Sequence, residues 1–371
     1  MVKILKKSFV FFILFLSSSI MAVEVEIGTL GGLTNIFSND SGIRRSIDKY
    51  NFYNTKFPDG SDRALNAYYG LRGKVTSNTG KFAFNTNLNS YASQSYTYER
   101  TDTLLYLSLA LATSGSTGLL SLLEGISKSN VKVNYNRIDY FGDGVFYIVP
   151  KFIGLGLGYR TINVGTNSSV AGLIRGSFIS DKNSYNSSGP QLSLYLELPK
   201  IEDNIEFNFR VSYFRLGGLY NQSYQDVGQG LIQVSDNSFQ AFNYLTRANL
   251  VGNPFVRRVG AELDFTAYIN IIPSVPAFRI FVGSTYQESR VSVNDYASLS
   301  LTALTIPQSR LATEASISSS YLYSKLVEAP IYQQERIDRL ISFYFGASYK
   351  FGGETQKSPE KKAEENTGEN L

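Results

Sequence analysis

The chain has 371 residues, 43% of them hydrophobic and 18% charged, with a formal net charge of +4. It contains no Cys, His or Trp, against 26 Tyr and 25 Phe. Without Cys there is no disulfide framework, thiolate nucleophile or thiolate zinc site; without His, every His-dependent triad is excluded and the commonest metal ligand is missing.

At the N-terminus, Lys3, Lys6 and Lys7 precede the apolar run from Phe9 to Leu16, followed by "SSSIMA" and "VEVEIG". A basic stretch, a short apolar core and a small residue before the break predict a secretory signal peptide over 1–22, cut after Ala22. The apolar core is too short to cross a bilayer as a helix, which takes about 20 residues. Loss of three lysines from +4 leaves the mature chain near +1. The sequence pI of 8.9 therefore reflects no concentrated basic face, and no nucleic-acid partner is expected. Beyond residue 22 no apolar run reaches about 18 residues, so a membrane form of this chain is a barrel.

Strand side chains alternate between faces, and that period recurs along the chain. A first strand opens at Val23 with "VEVEIGTLG". From Ala64, "ALNAYYGLRGKVT" sets Leu65, Ala67, Tyr69, Leu71 and Val75 against Asn66, Tyr68, Arg72 and Lys74. The cluster "SNTG" at 77–80 turns the chain, and "KFAFNTNLNSYA" returns with Phe82, Phe84 and Leu88 opposite Lys81, Asn85, Asn87 and Asn89. The segment 101–126, "TDTLLYLSLALATSGSTGLLSLLEGI", is too apolar for a solvated loop. It is a helix against the barrel mouth, an extra hairpin, or a groove for hydrophobic ligands; the last resembles the apolar surface helices of long-chain fatty-acid transporters.

"VKVNYNRID" from Val131 is the next strand, with a short turn at 141–144. "VFYIVPKFIGLGLGYRTI" from Val145 follows, and Pro150 within it predicts a bulge or break. Gly154, Gly156 and Gly158 lie on one face there, as lumen-lining positions that leave space. They do not form a nucleotide loop, because no helix follows to meet a phosphate. "QLSLYLEL" places Glu197 opposite four leucines, and "IEFNFRVSY" places Glu206 and Arg210 opposite Ile205, Phe207, Phe209 and Val211. "VGAELDFTAYIN" sets Glu262 and Asp264 against Leu263 and Phe265. After "PSVP", "AFRIFVGSTY" carries Arg279. The last strand, "ISFYFGASYKF" from Ile341 to Phe351, has one face almost wholly apolar and aromatic.

These are ten strands, with twelve to fourteen as the alternative. Short connections near 77–80, 141–144, 199–204 and 273–276 alternate with long ones near 32–62, 97–130, 164–188, 220–255 and 293–335. In an up-and-down antiparallel sheet this puts all short turns at one end, the asymmetry of transmembrane barrels. The expected fold is an all-β, antiparallel up-and-down transmembrane β-barrel over 23–351, followed by a charged, disordered periplasmic tail over 352–371.

The final strand, closing on Tyr349 and Phe351, resembles the C-terminal insertion signal of Gram-negative outer-membrane β-barrel proteins. The resemblance implies an outer-membrane location, recognition by the barrel-assembly machinery, and contact with outer-membrane lipid and lipopolysaccharide. It departs from the pattern in one respect: the signal usually ends the chain, whereas a hydrophilic tail follows here.

The inferred lumen carries both signs: Arg72, Lys74, Lys81, Arg210 and Arg279 against Glu197, Glu206, Glu262 and Asp264. Glu262 and Asp264 read as members of an ion network, since no nucleophile or base accompanies them. Omptin proteases resemble this architecture but use a catalytic His, absent here. No enzyme activity, cofactor or metal is expected. The leading expectation is a porin-like passive channel for small solutes. The alternatives are a surface adhesin or ligand-binding barrel using its long loops on host or surface ligands, and a transporter of hydrophobic compounds.

Overall fold

The computed structural model describes residues 24–38, 53–56, 66–102, 128–171, 178–201, 204–235, 238–272, 275–306 and 336–352. The expected signal peptide, the apolar stretch 103–126 and the tail from 353 onward lie outside these residues. In chain order the strands are β1 (Glu24–Ser38), β2 (Tyr53–Lys56), β3 (Asn66–Thr76), β4 (Phe82–Asp102), β5 (Lys128–Val149) and β6 (Ile153–Ala171). They continue with β7 (Phe178–Glu197), β8 (Ile205–Ser235), β9 (Ser238–Ile269), β10 (Phe278–Ile306) and β11 (Arg336–Phe351).

Ten of them form one antiparallel sheet in the order β4-β3-β1-β11-β10-β9-β8-β7-β6-β5, and the pairing of β4 with β5 closes it. The short β2 is no stave of the barrel; it pairs with Glu99–Asp102 of β4, beyond the point where β3 stops. First and last staves meet side by side, Val25 opposite Phe351. Closure gives every spanning backbone group a neighbour, which is what a lipid surround demands.

Alternation decides which face meets lipid. Leu157 and Phe345 are 66% and 67% exposed, while their inward neighbours Gly156 and Tyr344 are buried. The same pattern runs around the wall: Leu71, Leu88, Leu192, Val211, Leu263 and Val282 all point outward. A continuous apolar belt of this kind, around an interior full of charge, is a lipid-facing surface and not a soluble core.

The connections β3–β4, β5–β6, β7–β8 and β9–β10 share one end. Gly80, with φ of 66°, closes the β3–β4 turn, its N–H donating to Ser77 O at 2.8 Å. Pro150 to Phe152 make the β5–β6 turn, with Phe152 N–H donating to Val149 O at 3.0 Å. Proline supplies the fixed φ that such a turn position favours. Both ends of the barrel sequence, at Glu24 and Phe351, lie at this same end.

Two expectations are corrected. The stretch 141–144 is no turn but the middle of β5, paired to β4 and β6 on either side; the break at Pro150 is the turn itself. The strand count is unaffected, because one boundary moved and none was added. The connections expected at 164–188 and 220–255 are largely strand, and that expected at 293–335 is strand as far as Ile306, its remainder lying outside the described residues: β8, β9 and β10 contain 31, 32 and 29 residues. Their distal halves stay paired, with register shifts at Leu219/Ser223 and between Asn294 and Ser298, but lack apolar alternation, because beyond the membrane both faces of a sheet can be wet. Hydrophobic period marks only the part of a strand that touches lipid.

Candidate functional site in the packed lumen

The inward face of the barrel carries polar ties, several of them between strands that are not sheet neighbours. Near the short-turn end, Lys74 Nζ on β3 donates to both carboxylate oxygens of Glu197 on β7, at 2.6 and 2.7 Å, and Tyr147 of β5 donates to the same carboxylate. Arg279 on β10 bridges Glu206 on β8, at 2.8 Å, and Glu26 on β1. Arg72 on β3 reaches Asp264 on β9 at 3.2 Å and the Thr266 hydroxyl at 2.9 Å. Tyr344 and Thr285 also donate to Asp264.

One level higher the ties become a wall-to-wall layer. Arg160 on β6 donates to Asp139 at 2.9 and 2.6 Å and to Glu262 on β9. Arg210 on β8 pairs with the other oxygen of Glu262. Arg137 on β5 bonds Asp139 and, across the barrel, Gln287 on β10. Gln287 in turn donates to Glu262 at 2.6 Å. Asp143 accepts from Ser193 at 2.7 Å, Tyr195 at 2.6 Å and Gln191 at 3.0 Å. Arg160 is 1% exposed, Arg137 2% and Glu262 4%, so each is enclosed almost entirely by protein atoms. The guanidinium of Arg210 also lies 3.9 Å from the Phe141 ring centroid, and that of Arg160 lies 4.6 Å from the Phe214 ring.

Beyond this layer, toward the long-connection end, a second seal is apolar. Ile162, Phe214, Leu216, Val256, Val291 and Leu340 are buried together inside the barrel. Arg258 crosses this level to Asp338 at 2.8 Å, Tyr185 at 2.6 Å and Ser289 at 2.9 Å.

Charges at this depth are tolerable only when paired and hydrogen-bonded. Each arginine of the central layer meets at least one carboxylate, and each carboxylate meets several donors. On the short-turn side of the layer remains a cavity of about 100 Å³, lined in part by Arg72, Lys74, Asn87, Asn208, Arg210 and Asp264. Facing its region are buried polar atoms with no protein partner among the described residues: Arg72 Nε, Arg210 Nη1, Asn87 Oδ1, Asn208 Oδ1 and Ser348 Oγ. Buried groups of this kind are ordinarily satisfied by water, and the space accommodates several molecules.

The structure thus brings Arg72, Lys74, Glu197, Glu206, Arg210, Glu262, Asp264 and Arg279 into ties through the interior. Lys81 stands apart: it lies exposed in the turn before β4. The space beside Gly154, Gly156 and Gly158 is taken by neighbouring strands. A Cβ at Gly154 would come within 2.7 Å of Val145 and 3.0 Å of Tyr147; one at Gly156 would come within 2.9 Å of Tyr195. At Gly158 it would collide with Asp143 and the Gly142 carbonyl. These glycines let large side chains lie close to the wall, and Gly158→Val is expected to cost about 1–3 kcal/mol through overpacking. A lowered temperature for loss of the compact, heat-modifiable gel band measures it. Tyr349 and Phe351 sit on the outer face at the short-turn end, ring centroids 4.7 Å apart.

Arg137, Asp139, Asp143, Arg160 and Arg258 complete the network and were missed by the sequence reading. Among the described residues, no group of three or more His, Cys, Asp or Glu is arranged to hold a metal ion.

No family model and no curated protein matches the chain. Among solved structures it is similar to the outer membrane protease OmpT from Escherichia coli, at 10% identity and a TM-score of 0.36, covering 89% of this chain and 97% of that one. The translocator domain of autotransporter NalP from Neisseria meningitidis gives 8% identity and a TM-score of 0.31, covering 91% of each chain. The P. putida toluene transporter TodX gives 8% identity and a TM-score of 0.26, covering 91% and 92%. Scores this low transfer no activity, and the barrel class rests on the chain's own strand order, closure and apolar belt. By those features the chain is a ten-stranded, antiparallel β-barrel of the outer-membrane type.

Proposed function

We propose that the protein is a sealed outer-membrane anchor whose working surface is the long-connection end, held outside the cell. The observation that carries this reading is the central layer of Arg137, Asp139, Arg160, Arg210, Glu262 and Gln287, which fills the barrel between strands on opposite sides. Small barrels are commonly filled by side chains, and aqueous channels belong to larger ones. The strand lengths support display: at ~3.3 Å per residue, 31 residues of β8 extend about 100 Å along the strand, far more than a ~25 Å apolar band requires. A rigid sheet standing above the membrane offers area for contact with macromolecules.

The passive-channel reading draws support from the polar cavity beneath the layer; under it, the ion network opens to conduct. Insertion signalling through Tyr349 and Phe351 to the assembly machinery belongs to either reading.

The display reading predicts that cells producing the protein adhere to immobilised matrix glycoproteins. Exchanging 307–335 for a Gly-Ser linker of equal length removes that adhesion while the heat-modifiable barrel persists. Adhesion unchanged by the exchange, or no adhesion by the parent, contradicts it.

A further inference from the structure

On four adjacent strands the apolar outward run gives way to arginine, directly on three of them and after one glutamate on the fourth. The outward positions of β8 are apolar from Ile205 to Tyr213, and the next is Arg215; those of β9 run from Ile269 back to Val259, and the next is Arg257. On β11 the run from Phe351 back to Ile341 ends at Arg339. On β10 the run from Phe278 to Tyr286, with Ser284 within it, is followed by Glu288 and Arg290. All four arginines are exposed.

Register makes them neighbours. Arg215 and Arg290 both face Val259 from either side, Arg257 faces Ser292, and Ile337, two residues from Arg339, faces Arg290. Each is therefore a diagonal neighbour of the next or one strand removed, at about 7–8 Å for the diagonal pairs. Arg339 also bonds Glu288 at 2.9 Å. The band thus groups four arginines with one glutamate. On the next three staves, β7, β6 and β5, the outward rows present Asn186, Asn163 and Asn136 where their apolar runs end, and the next charge along the β7 row is the exposed Lys182, four residues farther on.

Height identifies what the band faces. Ten to twelve residues of a strand tilted by ~40° rise about 25–30 Å, the thickness of the apolar band. The guanidinium groups thus lie at headgroup level on the long-connection side. Lipid-exposed arginine is costly at the midplane and nearly neutral at the interface, and a guanidinium binds phosphate through paired N–H groups.

We propose that the arginine band on β8–β11 is a binding site for the phosphate groups of a phosphorylated glycolipid of the outer leaflet. Its place in the outer leaflet rests on the reading that the long-connection end faces outward. The band's one-sidedness means that such lipid is held on one flank of the barrel, not as a uniform annulus.

The test uses the purified, folded full chain in a neutral detergent, with bisphosphorylated lipid A as the probe. The triple variant Arg215→Gln/Arg257→Gln/Arg290→Gln is expected to bind it at least about tenfold more weakly than the parent, a loss typical of charge-assisted phosphate contacts. Dephosphorylated lipid A should bind both proteins alike, and inorganic phosphate at the same concentration should not displace the lipid. These side chains point away from the lumen, so the variant should keep its heat-modifiable band; Arg257→Gln alone, expected to show a smaller loss, serves if it does not. Equal binding by parent and variant, or displacement by inorganic phosphate, overturns the proposal. Orientation is read separately: the chain has no Cys, so Asn243→Cys, at an exposed β9 position, should react with a membrane-impermeant maleimide on intact cells. Lipid binding without that labelling preserves the phosphate site and overturns its outer-leaflet placement.

Discussion

Glu262→Ala should destabilise the folded barrel by about 3–5 kcal/mol, the cost of leaving buried charge uncompensated. Glu262 receives Arg160 on one oxygen and Arg210 on the other, with Gln287 alongside. Truncation leaves Arg210 at 7% exposure without its carboxylate, while Arg160 keeps Asp139. Denaturant unfolding in micelles, followed by circular dichroism because the chain has no Trp, gives the magnitude. The cause is separable from lost volume. In Glu262→Leu/Arg210→Met both members of the pair are replaced by apolar groups, and most of the stability should return, since removing a whole buried pair is often close to neutral. An equal loss in single and double variants would show that packing, not stranded charge, sets the cost.

Phe345→Arg is the complementary experiment on the outer face. Phe345 is 67% exposed and stands midway along the outward run from Phe351 to Arg339, at the centre of the apolar band. An arginine at that depth should cost about 2–4 kcal/mol in a bilayer, whereas charge near the interface costs about 0–1. Reversible folding into lipid vesicles measures it. Arg339→Leu, at the rim, should change stability far less. A midplane arginine that folds as well as the parent would mean that this face does not meet hydrocarbon.

Both experiments probe the alternation, and the alternation is what the sequence displayed best. Ile341 to Phe351 and Ile205 to Tyr213 read as strands with a greasy and a wet side because a lipid boundary forces period two onto the residues that touch it. Where that boundary ends the signal ends, which is why 220–255 looked like a loop and is mostly β8 and β9. The network was half legible for a different reason. Arg72, Lys74 and Glu197 were recognisable as inward charges, but Lys74 and Glu197 lie 123 residues apart on strands separated in the sheet. Height and lateral order, which pair them, come only with closure.

Asp139 and Asp143 were lost because "YFGDG" looked like a turn. In β5 the inward positions run without interruption through Tyr135, Arg137, Asp139, Phe141, Asp143, Val145 and Tyr147. Following that single period across the glycines would have found three members of the sealing layer. Arg258 was missed by one residue, since the strand was started at Val259 and the inward row Gly260, Glu262, Asp264 was not extended backward. The glycines on β6 pointed the right way, but the sequence could not tell an open groove from a surface against which Tyr147 and Tyr195 pack.

The central claim is that ion-paired side chains close the lumen, and planar-bilayer conductance tests it most directly. The folded parent, inserted and confirmed by its heat-modifiable band, should give no discrete steps. The variant Arg160→Ala/Glu262→Ala/Arg210→Ala, if it retains the barrel, should be the leakier protein. Reproducible single-channel steps from the parent would contradict a sealed lumen and return the barrel to the class of passive channels.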